Sequence, residues 1–200
     1  VGKKLTAKGA ATRNRIIEGA AEVMRDRGVA FATLEDVMTR TRASKSQLFH
    51  YFPAGKDELL LAVARYEAGQ VLEDQQPYLG RLDSWEAWRQ WRDVVVDRYE
   101  TQGDRCPLGS LFLQVGRATP GARAIVVELM DRWQASLSAG IRSLQAAGHL
   151  PAGVDADQRA AALLAGIQGG VAILQSTGRS CHLRAALDQA IDDLRRLAPG

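Results

Sequence analysis

Residues 33–59 read TLEDVMTRTRASKSQLFHYFPAGKDEL, and this stretch decides the fold. Thr33-Leu34-Glu35-Asp36 has the form of a helix-opening cap, with Asp standing where Glu is usual. Leu34, Val37 and Met38 give that helix a short apolar face. Ser44-Lys45-Ser46-Gln47 is a full capping box opening a second helix of barely two turns, which ends before Pro53. Two short helices joined by a tight turn are the plan of a helix-turn-helix. In the second helix Leu48 and Phe52 stand at i and i+4 and face the core. Ser46, Gln47 and His50 then point away from it, with Lys45, Phe49 and Tyr51 on the flanks. That outward face has donors and acceptors for base edges and phosphates, and no carboxylate to repel them. Gln47 can serve its own capping box or a base; both remain open.

Upstream, Ile16, Ala20, Val23 and Met24 mark the face of a first helix stopped by Gly28. Downstream the helical period continues. It predicts helices from Gly55 to about Pro77, from Asp83 to about Gln102, over 107–117, and from Pro120 to Gly148. The long one carries the stripe Val126, Met130, Trp133, Leu137, Ile141 and Leu144, and two more helices are expected at 155–177 and 182–197. An all-α chain of about nine helices follows.

Its 200 residues, 46% hydrophobic and 24% charged with six prolines, exclude collagen-like, mucin-like and disordered classes. The net charge of +3 is uneven: residues 1–58 hold eleven basic and seven acidic side chains, and the remainder fifteen and sixteen. Lys3, Lys4, Lys8, Arg13 and Arg15 precede the first acidic residue and suit backbone phosphate. The charge change places a domain boundary near residue 60, giving 1–60 and 61–200. Cys106 and Cys181 have neither CxxC nor metal spacing, so no metal and no cofactor are expected, and a reducing cytoplasm fits. The apolar run 160–174 is interrupted by Gln168 and falls short of the roughly 18–20 residues a spanning helix needs, so no membrane segment is expected.

The run Gly28, Thr33, Val37, Ser44, Lys45, Leu48, Phe49, Tyr51, Phe52, Lys56 and Leu59 resembles, in order and spacing, the DNA-binding signature of TetR-family transcriptional regulators. The resemblance covers about residues 10–60. It implies a three-helix reader followed by a helical part that binds a small-molecule effector and forms a homodimer on a double-stranded DNA operator. It further implies that Thr33, Tyr51 and Lys56 contact phosphates, that Lys45, Ser46, Gln47 and His50 lie in or beside the major groove, and that Ser44 is among the DNA-binding residues. Arg42 departs from the family pattern, which usually has Gly there: either the turn differs or Arg42 adopts a left-handed conformation at about 1 kcal/mol. Met38 replaces a small Ala. Cys106-Pro107-Leu108-Gly109-Ser110-Leu111 and Gly166-Ile167-Gln168-Gly169-Gly170 resemble the subgroup named for lincomycin-resistance repressors.

In the C-terminal part Trp85, Trp88, Val95 and Tyr99 share a helix face, with Trp91 at its edge. Such a stripe serves as core or as the wall of an effector cavity. Trp85, Trp88, Phe112, Met130, Trp133 and Gln168 are the candidate wall, expected to favour an apolar or aromatic effector. Ala162, Gly166 and Gly170 recur at i, i+4 and i+8, and glycine inside a helix costs up to about 1 kcal/mol. Close helix approach compensates, within the chain or between subunits. The subunit interface is expected, with Leu187 and Ile191 beside it. The rival classes are a helical enzyme or binding protein with a non-functional helix-turn-helix, and a redox regulator sensing through Cys106. Neither GxSxG, HExxH nor a phosphate loop occurs, so no catalytic residue is expected.

Overall fold

The first helix, α1 (Ala7–Arg27), opens where Thr6 Oγ1 accepts from Gly9 N at 3.1 Å and closes at Gly28, whose N–H returns to Met24 O. The structure is a computed structural model, and it describes residues 5–103 and 120–199. Helix α2 (Leu34–Thr41) has both halves of its capping box: Thr33 Oγ1 accepts from Asp36 N, and Asp36 Oδ2 accepts from Thr33 N, each at 3.1 Å. It ends at Arg42 with φ 52° and ψ 32°, so the left-handed alternative is the one adopted. Helix α3 (Lys45–Tyr51) follows from the Ser44 box, and α4 (Lys56–Glu73) from the Pro53–Gly55 turn.

Ile16, Ala20, Met24, Val37, Leu48, Phe52, Leu59 and Val63 form one buried core, with Met38 half-buried against it. Gly19 lets α1 and α2 close, because a Cβ there would collide with the Thr41 methyl. The core reaches past residue 60 through Leu60, Ala62, Val63 and Ala64, and takes in Ala122 and Ile125. The described residues divide into one unit of 5–69 with 120–126 and another of 70–103 with 127–199. These contact units part after residue 69, whereas the change in charge balance falls near residue 60.

The second unit holds a 3₁₀ turn (Tyr78–Gly80), α5 (Trp85–Gln102), most of α6 (Pro120–Ala146), α7 (Ala156–Thr177) and α8 (Cys181–Arg196). No strand occurs among the described residues, and the expected helix at 107–117 lies outside them. Three details correct the sequence reading. Helix α4 stops at Glu73 rather than Pro77, and residues beyond it turn, since proline has no N–H to continue a helix. On α6 the buried line runs from Ala122 through Ile125 and Leu129, with Val126 and Met130 half-buried beside it, before continuing through Trp133, Leu137, Ile141 and Leu144. On α5, Trp91 is fully buried and Trp85 half-exposed. The indoles decide this: Trp91 Nε1 donates to Gln75 Oε1 at 2.9 Å, and Trp88 Nε1 to Leu82 O at 3.2 Å.

Helices α7 and α8 pack closely. A Cβ on Gly170 would stand 2.5 Å from Leu183 Cα, and one on Gly166 would stand 3.3 Å from Ala186 Cβ. Arg92 grips Asp188 with two bonds of 2.7 and 2.9 Å, and Arg184 grips Glu100 at 2.9 and 2.7 Å, tying α5 to α8. By length and hydropathy alone α7 is long and apolar enough to cross a membrane. Its Leu163, Leu164, Ile167 and Val171 are nevertheless buried within the chain, as in a core helix.

Candidate nucleic-acid interface

Helix α3 is short, so its geometry rests on its ends. Ser44 Oγ accepts from Gln47 N at 3.2 Å and Gln47 Oε1 accepts from Ser44 N at 3.1 Å, while Leu48 and Phe52 are buried. With that side pinned, Lys45, Ser46, Gln47 and His50 are all exposed. The His50 ring meets the half-buried Tyr51 ring edge-on at 4.9 Å, and Lys56 stands half-buried at the start of α4. Gln47 Oε1 is thus engaged in the cap.

Nearby carboxylates are held by cations. Arg40 pairs with Glu22 at 2.9 Å and with Asp26 at 3.0 Å, and Arg27 pairs with Asp36 at 2.6 Å. Bonds from the Thr33 hydroxyl and backbone, aided by Arg27, hold the Asp36 carboxyl below its ordinary range. Thr33 Oγ1 donates to Asp36 Oδ2 at 2.7 Å, so its hydroxyl already serves the cap of α2.

The basic arm divides. Lys3 and Lys4 lie outside the described residues, and Lys8 is exposed on α1. Arg13 stands over the Phe52 ring at 5.2 Å, and Arg15 donates to Thr41 O. Both are therefore partly structural, which no local sequence pattern signals, because their partners lie 39 and 26 residues away. The exposed Arg42, read only as a turn anomaly, adds a cation beside α3 in sequence.

The candidate effector wall is not gathered as the stripe suggests. Trp88 and Trp133 are fully buried, Trp88 packing on Leu82 and Gly140. Met130 and Gln168 are half-buried, and Phe112 and Cys106 lie outside the described residues. Trp85 instead lines a groove of about 360 Å³ between α5 and α8, with Arg89, Arg92, Asp93 and Asp188, its ring 5.6 Å below Arg195. That groove is charged rather than apolar. Two buried nitrogens, Trp133 Nε1 and Gln168 Nε2, have no acceptor among the described residues.

The candidate subunit contacts are corrected as well. Leu187 and Ile191 are buried by their own chain, and Gly170 serves the α7–α8 contact, so these three offer no free surface. Ala162 and Gly166 line a separate groove of about 250 Å³ between α7 and α8. Between the polar ends of α7, the exposed positions are Ala161, Ala162, Ala165, Gly169, Ala172 and Ile173, a helical period of small and apolar residues.

The comparisons with known proteins agree on one family. Residues 16–63 match the N-terminal region of bacterial regulatory proteins of the tetR family, and residues 82–190 match the tetracyclin repressor-like C-terminal domain. An uncharacterised HTH-type transcriptional regulator of Mycobacterium tuberculosis is 27% identical in an alignment that covers 60% of this chain and 64% of that one. The chain thus spans just under two thirds of that relative's length. The transcriptional regulator AcuR of Cereibacter sphaeroides is 24% identical over 78% of this chain and 73% of its own. Among solved structures, a TetR transcriptional regulator from Chloroflexus aurantiacus superposes with a TM-score of 0.80 at 22% identity, covering 96% of this chain and 98% of its own. A protein of Saccharomonospora viridis solved with choline gives 0.71 at 25% identity, covering 92% and 96%. The family is one of regulators, not enzymes. With both its parts matched over most of their length, the chain belongs to the TetR family of transcriptional regulators.

Proposed function

We propose that this protein is a cytoplasmic, homodimeric, one-component repressor that leaves an inverted-repeat operator when a small effector binds its C-terminal helices. The observation that carries the reading is the α3 face: Lys45, Ser46, Gln47 and His50 exposed together, on a helix with no carboxylate, fixed by its own capping box. Thr33, Tyr51 and Lys56 are the supporting phosphate contacts, with Ser44 at the cap of α3 completing the DNA-binding set. The dimer surface is the exposed small-residue face of α7 with Ala162 and Gly166. The effector and the operator bias one two-state equilibrium.

For the effector, the buried aromatic core favours an apolar or aromatic body. Trp133 Nε1 and Gln168 Nε2, which meet no acceptor among the described residues, favour an acceptor oxygen on it, since a buried donor without a partner costs about 1–3 kcal/mol. The choline bound to the Saccharomonospora viridis neighbour supports a small organic ligand as the general class. The finer placement beside the lincomycin-resistance repressors rests on residues 106–111 and 166–170 alone.

Selection of bound duplexes from a random pool tests the reading. An inverted repeat is expected, with affinity falling about three decades between 50 and 200 mM salt if about six phosphates are neutralised. Lys45→Ala and Lys56→Ala should weaken every duplex alike. Absence of any preferred sequence at moderate salt would refute DNA reading by α3.

A further inference from the structure

We propose that Gln47 reads its base as a hydrogen-bond donor only, through Nε2, and so selects guanine rather than adenine. This rests on the DNA-binding reading given above and names what one residue of that face recognises. The atom facing Ser44 N must be the amide oxygen of Gln47, because a backbone N–H needs an acceptor; the distance is 3.1 Å. Gln47 N in turn donates to Ser44 Oγ at 3.2 Å, so the two residues hold each other in a closed ring of bonds. The side chain is exposed, and Nε2 makes no bond to any described residue.

Glutamine ordinarily reads adenine with both ends, Oε1 accepting from N6 while Nε2 donates to N7. Here one lone pair of Oε1 is taken by Ser44 N and the oxygen is held against the start of α3, so swinging it out into the two-ended adenine fork would open the box that starts α3. What remains for the groove is an NH₂ group with two hydrogens. Guanine offers two adjacent acceptors, O6 and N7, whereas adenine sets its own N6 donor against the amide. The structural requirement of the cap thereby becomes a base preference.

The test is selection from a random duplex pool by the full chain and by Gln47→Glu and Gln47→Ala. Glutamate is the usual residue at this place in the box, so Gln47→Glu keeps the cap and its unfolding midpoint while exchanging the donor for an acceptor. One position in each half-site is expected to be guanine for the wild type and cytosine for Gln47→Glu, whose carboxylate accepts from N4. Each preference should be about tenfold, and Gln47→Ala should lose it. A purely structural role would move the midpoint and leave base identity alone. If the added carboxylate abolishes binding, Gln47→Ala decides: loss of the guanine preference supports the proposal and its retention overturns it. Adenine at the altered position in the wild-type site, or no altered position in either variant, would also overturn it. A wild type without any sequence preference would refute the DNA-binding reading itself, a distinct outcome.

Discussion

In α1–α3 the polar groups that shape the site are exposed and bonded to near neighbours, Thr33 with Asp36 and Ser44 with Gln47, three residues apart in each case. In α5–α8 they are bonded across the fold: Trp91 with Gln75, Arg92 with Asp188, Arg184 with Glu100, at separations of 16, 96 and 84 residues. Both regions bring helices together through a glycine, Gly19 against Thr41 and Gly170 against Leu183. The first region thus carries its functional face as a local motif, and the second ties its helices together through distant partners, Trp91–Gln75 within its interior and the two arginine pairs at its surface. A convenient probe separates them, because all four tryptophans, Trp85, Trp88, Trp91 and Trp133, belong to the second unit. Far-UV circular dichroism reports helices of both.

The largest effect is expected from Phe52→Ala, which empties the centre of the first core. Loss of a fully buried phenylalanine costs about 3–5 kcal/mol. In urea the circular dichroism should acquire an early phase and DNA binding should vanish, while the tryptophan fluorescence midpoint stays in place. A fluorescence midpoint that falls equally would show one cooperative body and break the division between the regions.

Next comes Gly170→Ala. The new methyl would meet the Leu183 backbone, which cannot rotate away, so an overpacking cost of about 1–3 kcal/mol is expected in the fluorescence transition. Gly19→Ala meets only the Thr41 methyl, a side chain held by its Oγ1 bond to Val37 O at 2.7 Å. It should cost less and appear in circular dichroism alone. Equal shifts would show that the two glycines work under the same constraint.

This contrast also explains what the sequence made legible. The helices, the two capping boxes and the inward Leu48 and Phe52 are visible in it because each depends on residues within one or two turns. The outward Ser46, Gln47 and His50 follow from them by subtraction. The position of Trp91 is not visible, since its burial depends on Gln75 from another element. Arg13 looks like a free phosphate ligand until Phe52 folds beneath it. The glycine spacing on α7 shows that something approaches closely, and whether that is α8 or a second subunit depends on which face α8 covers. Gly170 faces α8; Ala162, Ala165 and Gly169 are left outward.

A smaller change is expected from Arg42→Gly. Arg42 is the one described non-glycine residue with positive φ, and a left-handed conformation costs a side-chain-bearing residue about 1 kcal/mol. Glycine removes that strain but adds freedom to the unfolded chain, so the net gain should be below about 1 kcal/mol. The thermal midpoint by circular dichroism should rise by a few degrees at most, with fluorescence unchanged. A fall in that midpoint would mean that the Arg42 side chain contributes more than its backbone loses.

The smallest effect separates the regions by pH. Bonds from the Thr33 hydroxyl and backbone, with Arg27, hold Asp36 below its ordinary value of 3.8, and bonds from the Ser180 hydroxyl and Arg184 hold Glu100 below 4.5. A carboxyl whose value is depressed by folding binds protons more readily in the unfolded chain. Its stabilisation is therefore present above the unfolded value and is lost as pH falls through the folded one. At neutral pH both contributions are in place; as the pH drops below about 4 both should fade. Asp36→Asn should flatten this acid limb only in the circular dichroism phase that fluorescence does not share, and Glu100→Gln only in the fluorescence transition. Because both side chains stand near the surface, 0.5 M salt should reduce each difference by screening the Arg27 and Arg184 partners, leaving the hydroxyl bonds as the remainder. If Asp36→Asn instead flattened the fluorescence limb, the α2 cap would be coupled to the second unit, and local bonding in the reader would no longer be independent of the long-range bonding of α5–α8.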